Sequence, residues 1–241
     1  MTGSLVVVGT GIGAGQLTTE AKSELASADE VFFLVGDPVS EHAVLDLAPA
    51  ATSLAGCYED GRSRREAYER IVETILAPAR AGKHVCAAFY GHPGMLVFPS
   101  REALRRARRE GLDARMLPAV SALDCLFADL AIDLAEYGCQ TYEAGDFLRR
   151  RPTLETRAAL VLWQVGVVGQ EFHTPDGGPV ALADLVAALL ESYPFEHEVV
   201  VYEASPYPAV APLIVPVALG ELDASALSHR STVYVPPLAL R

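Results

Sequence analysis

Apolar residues gather in short unbroken runs through the first half of the chain. Leu5-Val6-Val7-Val8 and Val85 to Phe89 are two of them. A run of this length, bounded by turn residues, reads as a strand buried on both faces of a parallel sheet. Glu30 to Val35 reads as another strand, closed by Gly36-Asp37-Pro38, with a helix through His42 to Leu47 behind it. Pro49 to Leu54 reads as a connector or short strand. The period then changes. Ala67, Ile71 and Ile75, with Tyr68, Val72 and Leu76 alongside, form the wide apolar face of a helix. Ser63-Arg64-Arg65-Glu66 ahead of it has the capping-box pattern S-x-x-E. Ser100 and Glu102 open a further helix over Arg101 to Arg109, and Ala114 to Leu117 follows it. Strands alternating with helices predict an α/β fold.

The second half alternates more loosely. Ser121 is placed to cap a helix over Ala122 to Leu130. Cys139 to Glu143 reads as strand, Ala144 to Arg150 as a short helix and Ala158 to Val168 as a strong strand. Gly177-Gly178-Pro179 is a turn, Val180 to Leu190 a helix, and Val199 to Glu203, Leu213 to Val217 and Thr232 to Val235 are strands. This pattern predicts a mixed sheet. The domain boundary is expected between Leu117 and Pro118, giving domains over 1–117 and 118–241.

Three turns at predicted strand ends carry the candidate chemistry. Gly9-Thr10-Gly11-Ile12-Gly13-Ala14-Gly15 follows the first strand, and Thr18 can cap the helix behind it. Such a turn, with Asp37 at the distance of a ribose-binding acid, suggests a dinucleotide site. The helix starts late, after Gln16 and Leu17, so the turn is longer than that fingerprint needs. Tyr90-Gly91-His92-Pro93-Gly94-Met95 ends the strand Val85 to Phe89, and its glycines let a ligand approach the backbone. Pro118-Ala119-Val120-Ser121-Ala122 forms the third turn, where a serine hydroxyl and helix amides can meet a ligand. Arg64 and Tyr68 are an i, i+4 pair on one helix face. Cations at a helix start are disfavoured by the macrodipole, so local propensity does not ask for Arg62, Arg64 and Arg65. A solvated first turn and the mouth of a site both accommodate them.

Composition narrows the classes. The 241 residues carry a formal net charge of −12, which disfavours nucleic acid and anionic membranes as partners. Cys57, Cys86, Cys125 and Cys139 form no C-x-x-C pair and are expected as buried free thiols of a cytoplasmic protein. Met1 to Val8 lacks a basic n-region, and no apolar run is long enough to span a bilayer. There is no H-E-x-x-H, no cysteine-histidine cluster, no G-x-x-x-x-G-K-[ST] and no G-x-S-x-G, so no metal is expected. Transfer of a group already activated on a cofactor needs little more than orientation and a base.

The three turns, taken in order with Leu17-Thr18 and Ala28-Asp29-Glu30-Val31, resemble the tetrapyrrole methylase superfamily over nearly the whole chain. Ala119 departs from the P-G-x-S pattern. The resemblance implies a two-domain α/β fold with an S-adenosylmethionine cleft between the domains. Phe32-Phe33-Leu34-Val35-Gly36-Asp37-Pro38-Val39, Tyr58 with Ser63-Arg64 and Tyr68, Met116 through Asp124, Phe127 to Leu130 and Ser231 to Pro237 are most similar to the borosin methyltransferases, which methylate backbone amides of a ribosomal peptide. That likeness implies a target amide surrounded by Arg64, Tyr68, Tyr58 and Tyr90. It also implies a cofactor contacted by Tyr90, His92, Met95, Val97, Ser121, Ala122, Gln164 and Thr232, and a homodimer. An amide nitrogen is a poor nucleophile, because its lone pair is delocalised. A guanidinium at the carbonyl oxygen offsets the charge that builds on deprotonation, and a phenol beside a guanidinium is suited to act as base. A C-methyltransferase on a tetrapyrrole or other small molecule, and a catalytically idle cofactor-binding partner, remain as alternatives. Only Pro236 to Arg241 follows the last strand, so the peptide is expected as a separate precursor chain.

Overall fold

The computed structural model describes residues 3–13, 15–58, 64–170 and 178–238; of Arg64 it describes the backbone alone. Ser63, the expected cap of the third helix, and Gly177 lie outside the described residues. The chain forms two compact units, Met1–Cys125 with Ser205–Ala211, and Leu126–Ala204 with Pro212–Arg241. The division therefore falls within a helix, later than Leu117. Residues 118–125 cluster with the first unit because they pack on its strand ends: a Cβ on Gly9 would lie 2.6 Å from that of Ala119.

The first unit runs β1 (Ser4–Gly9), α1 (Thr19–Ser27), β2 (Glu30–Leu34), α2 (Pro38–Leu47), β3 (Thr52–Ser53), α3 (Arg64–Arg80), β4 (His84–Phe89), α4 (Phe98–Arg109), β5 (Asp113–Met116) and α5 (Ala122–Leu130). Its sheet has the order β3-β2-β4-β1-β5 and is parallel throughout. Alternate residues of each strand face opposite layers, which explains the continuous apolar runs. Leu5, Val7, Val85, Ala87 and Phe89 join a core with Ile71, Ile75 and Leu76 of α3 and Ala103 and Ala107 of α4. Val6, Val8, Cys86 and Ala88 join a second core with Ala21 and Leu25 of α1 and Val44 of α2.

Thr18 caps α1, accepting from the Ala21 amide at 3.1 Å. The α2 helix begins earlier than its apolar pattern predicts. Asp37 caps it, accepting from the Val39 and Ser40 amides at 3.1 and 2.9 Å, and Pro38 fits the first helical position. The α4 helix also begins early, at Phe98, so Ser100 is not its cap. Ser100 sits in the first turn and donates to the carbonyls of Pro93 and of Val97, the latter at 2.9 Å.

The second unit adds α6 (Leu134–Tyr137), β6 (Cys139–Glu143), α7 (Ala144–Arg150), β7 (Ala159–Trp163), α8 (Leu182–Leu190), β8 (Glu198–Glu203), β9 (Leu213–Ala218) and β10 (Thr232–Val235). The sheet order is β6-β7-β10-β8-β9. The β6–β7 pair is parallel and the others antiparallel, so the sheet is mixed as expected. Leu160, Leu162, Val201 and Val233 meet Phe147 of α7 and Leu185 and Leu189 of α8 in one core. The β7 strand is shorter than its apolar run. Gln164 takes the left-handed conformation (φ 58°), and a single 3-10 turn, Val165–Val167, carries the rest. Pro216 lies in β9, which pairs on one side only, the position where a strand tolerates a missing N–H.

None of the four cysteines forms a disulfide, and only Cys86 is buried; the other three are half-buried. Burial pushes the Cys86 thiol up to about 12, so it is inert at neutral pH. No described helix is long and apolar enough to cross a membrane.

A charged seam ties α3 to α4 on their outer side. Arg106 bonds Glu102 at 2.6 Å, Glu69 at 2.7 Å and Glu73 at 3.1 Å. Arg80 bridges Glu73 and Glu110 at 2.6 and 2.7 Å. Hydrogen bonds from Arg105 and Arg106 hold the Glu102 carboxyl down to about 2. Its folded value lies below its ordinary 4.5, so the unfolded chain takes up the proton first as pH falls. This stabilisation is complete above pH 4.5 and is lost on the way down to about 2. In urea titrations from pH 6 to pH 3, Glu102→Gln should have a visibly shallower acid loss of stability than the parent.

Candidate active site

The strands β1 and β4 are neighbours at the centre of the first sheet, yet their outgoing loops diverge. β1 leads to α1 on one face and β4 to α4 on the other. Such a switch point opens a crevice at the carboxyl ends of the strands, where open α/β sheets bind ligands. Here the two loops are joined across it. Gly91 donates to the Gly11 carbonyl at 3.0 Å, and Gly11 donates back at 3.4 Å. Both glycines have positive φ, 74° at Gly11 and 66° at Gly91. The third turn closes on the same point. A Cβ on Gly9 would stand 2.1 Å from the Gly91 carbonyl oxygen and 2.7 Å from Pro93 Cδ, besides its clash with Ala119.

The first turn is organised around a residue that its glycines concealed. Gln16 Oε1 accepts from the amides of Ile12 at 2.7 Å and Gly13 at 2.9 Å. Those are the amides a dinucleotide pyrophosphate would need. Asp37 is occupied as a helix cap, and its second oxygen is buried with no partner among the described residues. The dinucleotide reading of this turn therefore fails on geometry. A cofactor without phosphates does not need those amides.

In the second turn, His92 Nδ1 accepts from the Gly94 amide at 3.0 Å, which fixes the ring over its own loop. A Cβ on Gly94 would come within 3.0 Å of that ring. In the third, Ser121 and Asp124 cap each other. The Ser121 amide and hydroxyl donate to Asp124 Oδ2 at 2.7 and 2.6 Å, and the Asp124 amide donates to Ser121 Oγ at 3.3 Å. The Ser121 proton is thus given to Asp124, leaving the hydroxyl oxygen as acceptor. Partial burial raises the Asp124 carboxyl, but these hydrogen bonds and the nearby His92 outweigh it and hold the group below its usual range. Ala122 is the first residue of α5.

Tyr58, Tyr68 and Tyr90 line one cavity of about 400 Å³ with Met95 and Val97. Leu34 at the end of β2, Val35 and Gly36 beyond it, Phe89, and Leu96 to Pro99 complete its wall. The Tyr68 ring stands edge-on to Tyr58, centroids 6.3 Å apart, and lies against Phe98 at 5.6 Å with 27° between planes. Arg64 begins the same helix one turn ahead of Tyr68. Leu96 takes φ 56°, a conformation costing a non-glycine residue on the order of 1–2 kcal/mol. Gln16, Asp124, Leu96 and Phe98 are not among the site residues read from the sequence. Only Asp124 carried a local signal, three residues after Ser121.

Gln164 and Thr232 belong to the second unit, where the structure brings them together. β7 and β10 pair antiparallel, and the Val165 amide donates to the Ser231 carbonyl at 3.2 Å. Buried Glu203 holds the turn before Thr232. It accepts from Ser228 Oγ at 2.5 Å and Ser231 Oγ at 2.6 Å, with Arg230 at 3.4 Å. Among the described residues no group of side chains could hold a metal ion.

This fold, with its switch point between glycine turns, is that of a two-domain α/β methylase. The chain belongs to the tetrapyrrole (corrin/porphyrin) methylases, whose family model matches residues 4–215. It is 42% identical to a methyltransferase/ribosomally synthesized cyclic peptide dendrothelin A precursor of Dendrothele bispora, over 98% of this chain and 58% of that protein. It is 39% identical to a type III borosin cyclic peptide precursor of Anomoporia bombycina, over 99% of this chain and 28% of that protein. The chain thus spans 58% of the length of the first of these relatives. Among solved structures, uroporphyrin-III-C-methyltransferase from Thermus thermophilus shares the fold, with TM-score 0.70 and 22% identity over 98% of this chain and 93% of that one.

The crowding at Gly9 leaves no room for a side chain. Gly9→Ala should destabilise the protein by about 1–3 kcal/mol in denaturant titrations, the cost of overpacking against backbone. Gly56→Ala, which meets nothing within 4 Å, should stay within about 0.5 kcal/mol of the parent.

Proposed function

We propose that this chain is an S-adenosylmethionine-dependent methyltransferase that methylates backbone amide nitrogens of a ribosomal peptide, one after another. The observation that carries the reading is the single cavity shared by Tyr58, Tyr68 and Tyr90 at the carboxyl ends of β2 and β4. Identity of 42% to a protein named as a cyclic-peptide methyltransferase and precursor supports the substrate class. The cofactor would supply an electrophilic methyl group.

The protein's own part is to make an amide nitrogen reactive. Arg64, one helical turn before Tyr68, is assigned to the carbonyl oxygen of the target amide, where its charge favours the imidate form. Tyr68 is assigned as the base for the amide proton, with Tyr58 and Tyr90 holding the peptide plane. Tyr90, His92, Met95, Val97, Ser121, Ala122, Gln164 and Thr232 are proposed as cofactor contacts. We also take the enzyme to be a cytoplasmic homodimer, checked by light scattering, and its peptide to be a separate chain.

Calorimetry should register S-adenosylmethionine or its demethylated product and no NAD. A synthetic peptide offered in trans should gain methyl units on backbone nitrogens by tandem mass spectrometry. Efficient methylation of a free tetrapyrrole with the peptide untouched would overturn the reading. Tyr68→Phe and Arg64→Ala should each lower kcat by at least about 100-fold, the usual scale of a general base or an oxyanion donor, while cofactor affinity stays within about threefold. A Tyr68→Phe enzyme with normal kcat would remove the phenol from the mechanism.

A further inference from the structure

Phe98 has no role in building either core of the first unit. The buried side of α4 is Pro99, Ser100, Ala103 and Ala107, and Phe98 at its first position is 43% exposed. Packing does not account for a large ring there. Its ring stacks on that of Tyr68, at 5.6 Å between centroids and 27° between planes. That geometry is an offset stack, a directional contact rather than apolar filler. The approach to Phe98 is built at a cost. Leu96 is held in the left-handed conformation, and Val97 starts α4 with no side-chain cap. Ser100, itself fully buried, ties the loop back by donating to the carbonyls of Pro93 and Val97. Backbone strain that the surroundings hold in place is a pointer to function.

Tyr68 needs such a neighbour. It has two rotatable side-chain bonds, and Tyr58 meets its ring only edge-on at 6.3 Å. Misplacing a base by about 1 Å can cost about 100-fold in rate. We infer that Phe98 is a positioning residue: its ring, stacked on Tyr68, sets the plane in which the phenol meets the substrate amide. Leu96 and Ser100 fix where that ring stands. The inference rests on the peptide-methylation reading for its kinetic consequence, but the stack itself can be tested without turnover.

The structural arm uses protein with ring-labelled tyrosine, the Tyr68 resonance being identified by its loss in Tyr68→Phe. A face-stacked neighbour shifts that resonance upfield. The shift should vanish in Phe98→Ala and Phe98→Leu and persist in Phe98→Tyr. The kinetic arm compares the same variants with S-adenosylmethionine and the peptide. Phe98→Ala and Phe98→Leu should lose about tenfold or more in kcat, with cofactor affinity unchanged and the pH profile of kcat displaced, as expected when a base is misplaced. Phe98→Tyr should keep kcat within about threefold of the parent. Leu96→Gly, which frees the backbone, should weaken the resonance shift and kcat together. Full activity in Phe98→Leu would show that only apolar bulk matters and would overturn the inference, as would a parent lacking the upfield shift. A parent that has the shift but leaves peptides unmethylated would instead sink the proposed function.

Discussion

The close approach of three turns at Gly9 is the constraint on which the first unit depends. A parallel sheet with diverging loops at β1 and β4 leaves a gap at the strand ends, and something must close it. Here the closure is backbone against backbone. Gly11 and Gly91 exchange hydrogen bonds, while Pro93 and Ala119 crowd the bare Cα of Gly9. What meets Gly9 is the Gly91 carbonyl oxygen, the Pro93 ring and the Ala119 methyl, so the separation of the turns there is set by covalent geometry rather than by rotamers. The positions of His92, Met95 and Ser121 relative to one another follow from that contact. It also accounts for residues 118–125 clustering with the first sheet although they lead into α5.

The turn after β1 shows how a glycine motif can mislead. Its spacing is close to that of a phosphate cradle, but the cradle's amides are already used. Gln16 stands in for an anion, its carboxamide oxygen accepting from Ile12 and Gly13. A neutral acceptor satisfies those groups without bringing charge. The same turn thus becomes a rigid wall, suited to a ligand that it touches but does not neutralise. This distinction needed three-dimensional information. In sequence, Gln16 is an ordinary polar residue between a glycine and a leucine.

Much of the fold was legible because it rests on two periods. The continuous runs at β1 and β4 belong to strands covered on both faces, and the i, i+4 pattern of Ala67, Ile71 and Ile75 lies on the buried side of α3. Elements with strong caps were readable to the residue, as at Ala122–Leu130 behind Ser121. Boundaries slipped where a local rule was overridden. Pro38 and Phe98 begin helices ahead of the apolar pattern, the first through the Asp37 cap and the second without any cap. The run from Ala158 to Val168 looked like one strand because nothing in its composition announces a left-handed residue at Gln164.

That last failure has a common cause with the missed parts of the site. Among the described residues, four that are not glycine have positive φ: Leu96, Ala131, Arg151 and Gln164. Ala131 and Arg151 follow the ends of α5 and α7, where a left-handed residue lets the last carbonyls find partners. The Ile132 amide reaching back to the Phe127 carbonyl at 3.1 Å is one such closure. Leu96 and Gln164 instead stand ahead of a helical segment, Leu96 before Val97 and α4, and Gln164 at the start of the 3-10 turn Val165–Val167. Each stands in a turn that follows a strand, beside side chains proposed to contact substrate or cofactor. A glycine there would relax the backbone but would also remove a wall atom and loosen the turn. Keeping a side chain at a strained position trades stability for a fixed orientation of its neighbours. Sequence patterns report what lowers the energy of a fold, so they are silent where geometry is held against that gradient.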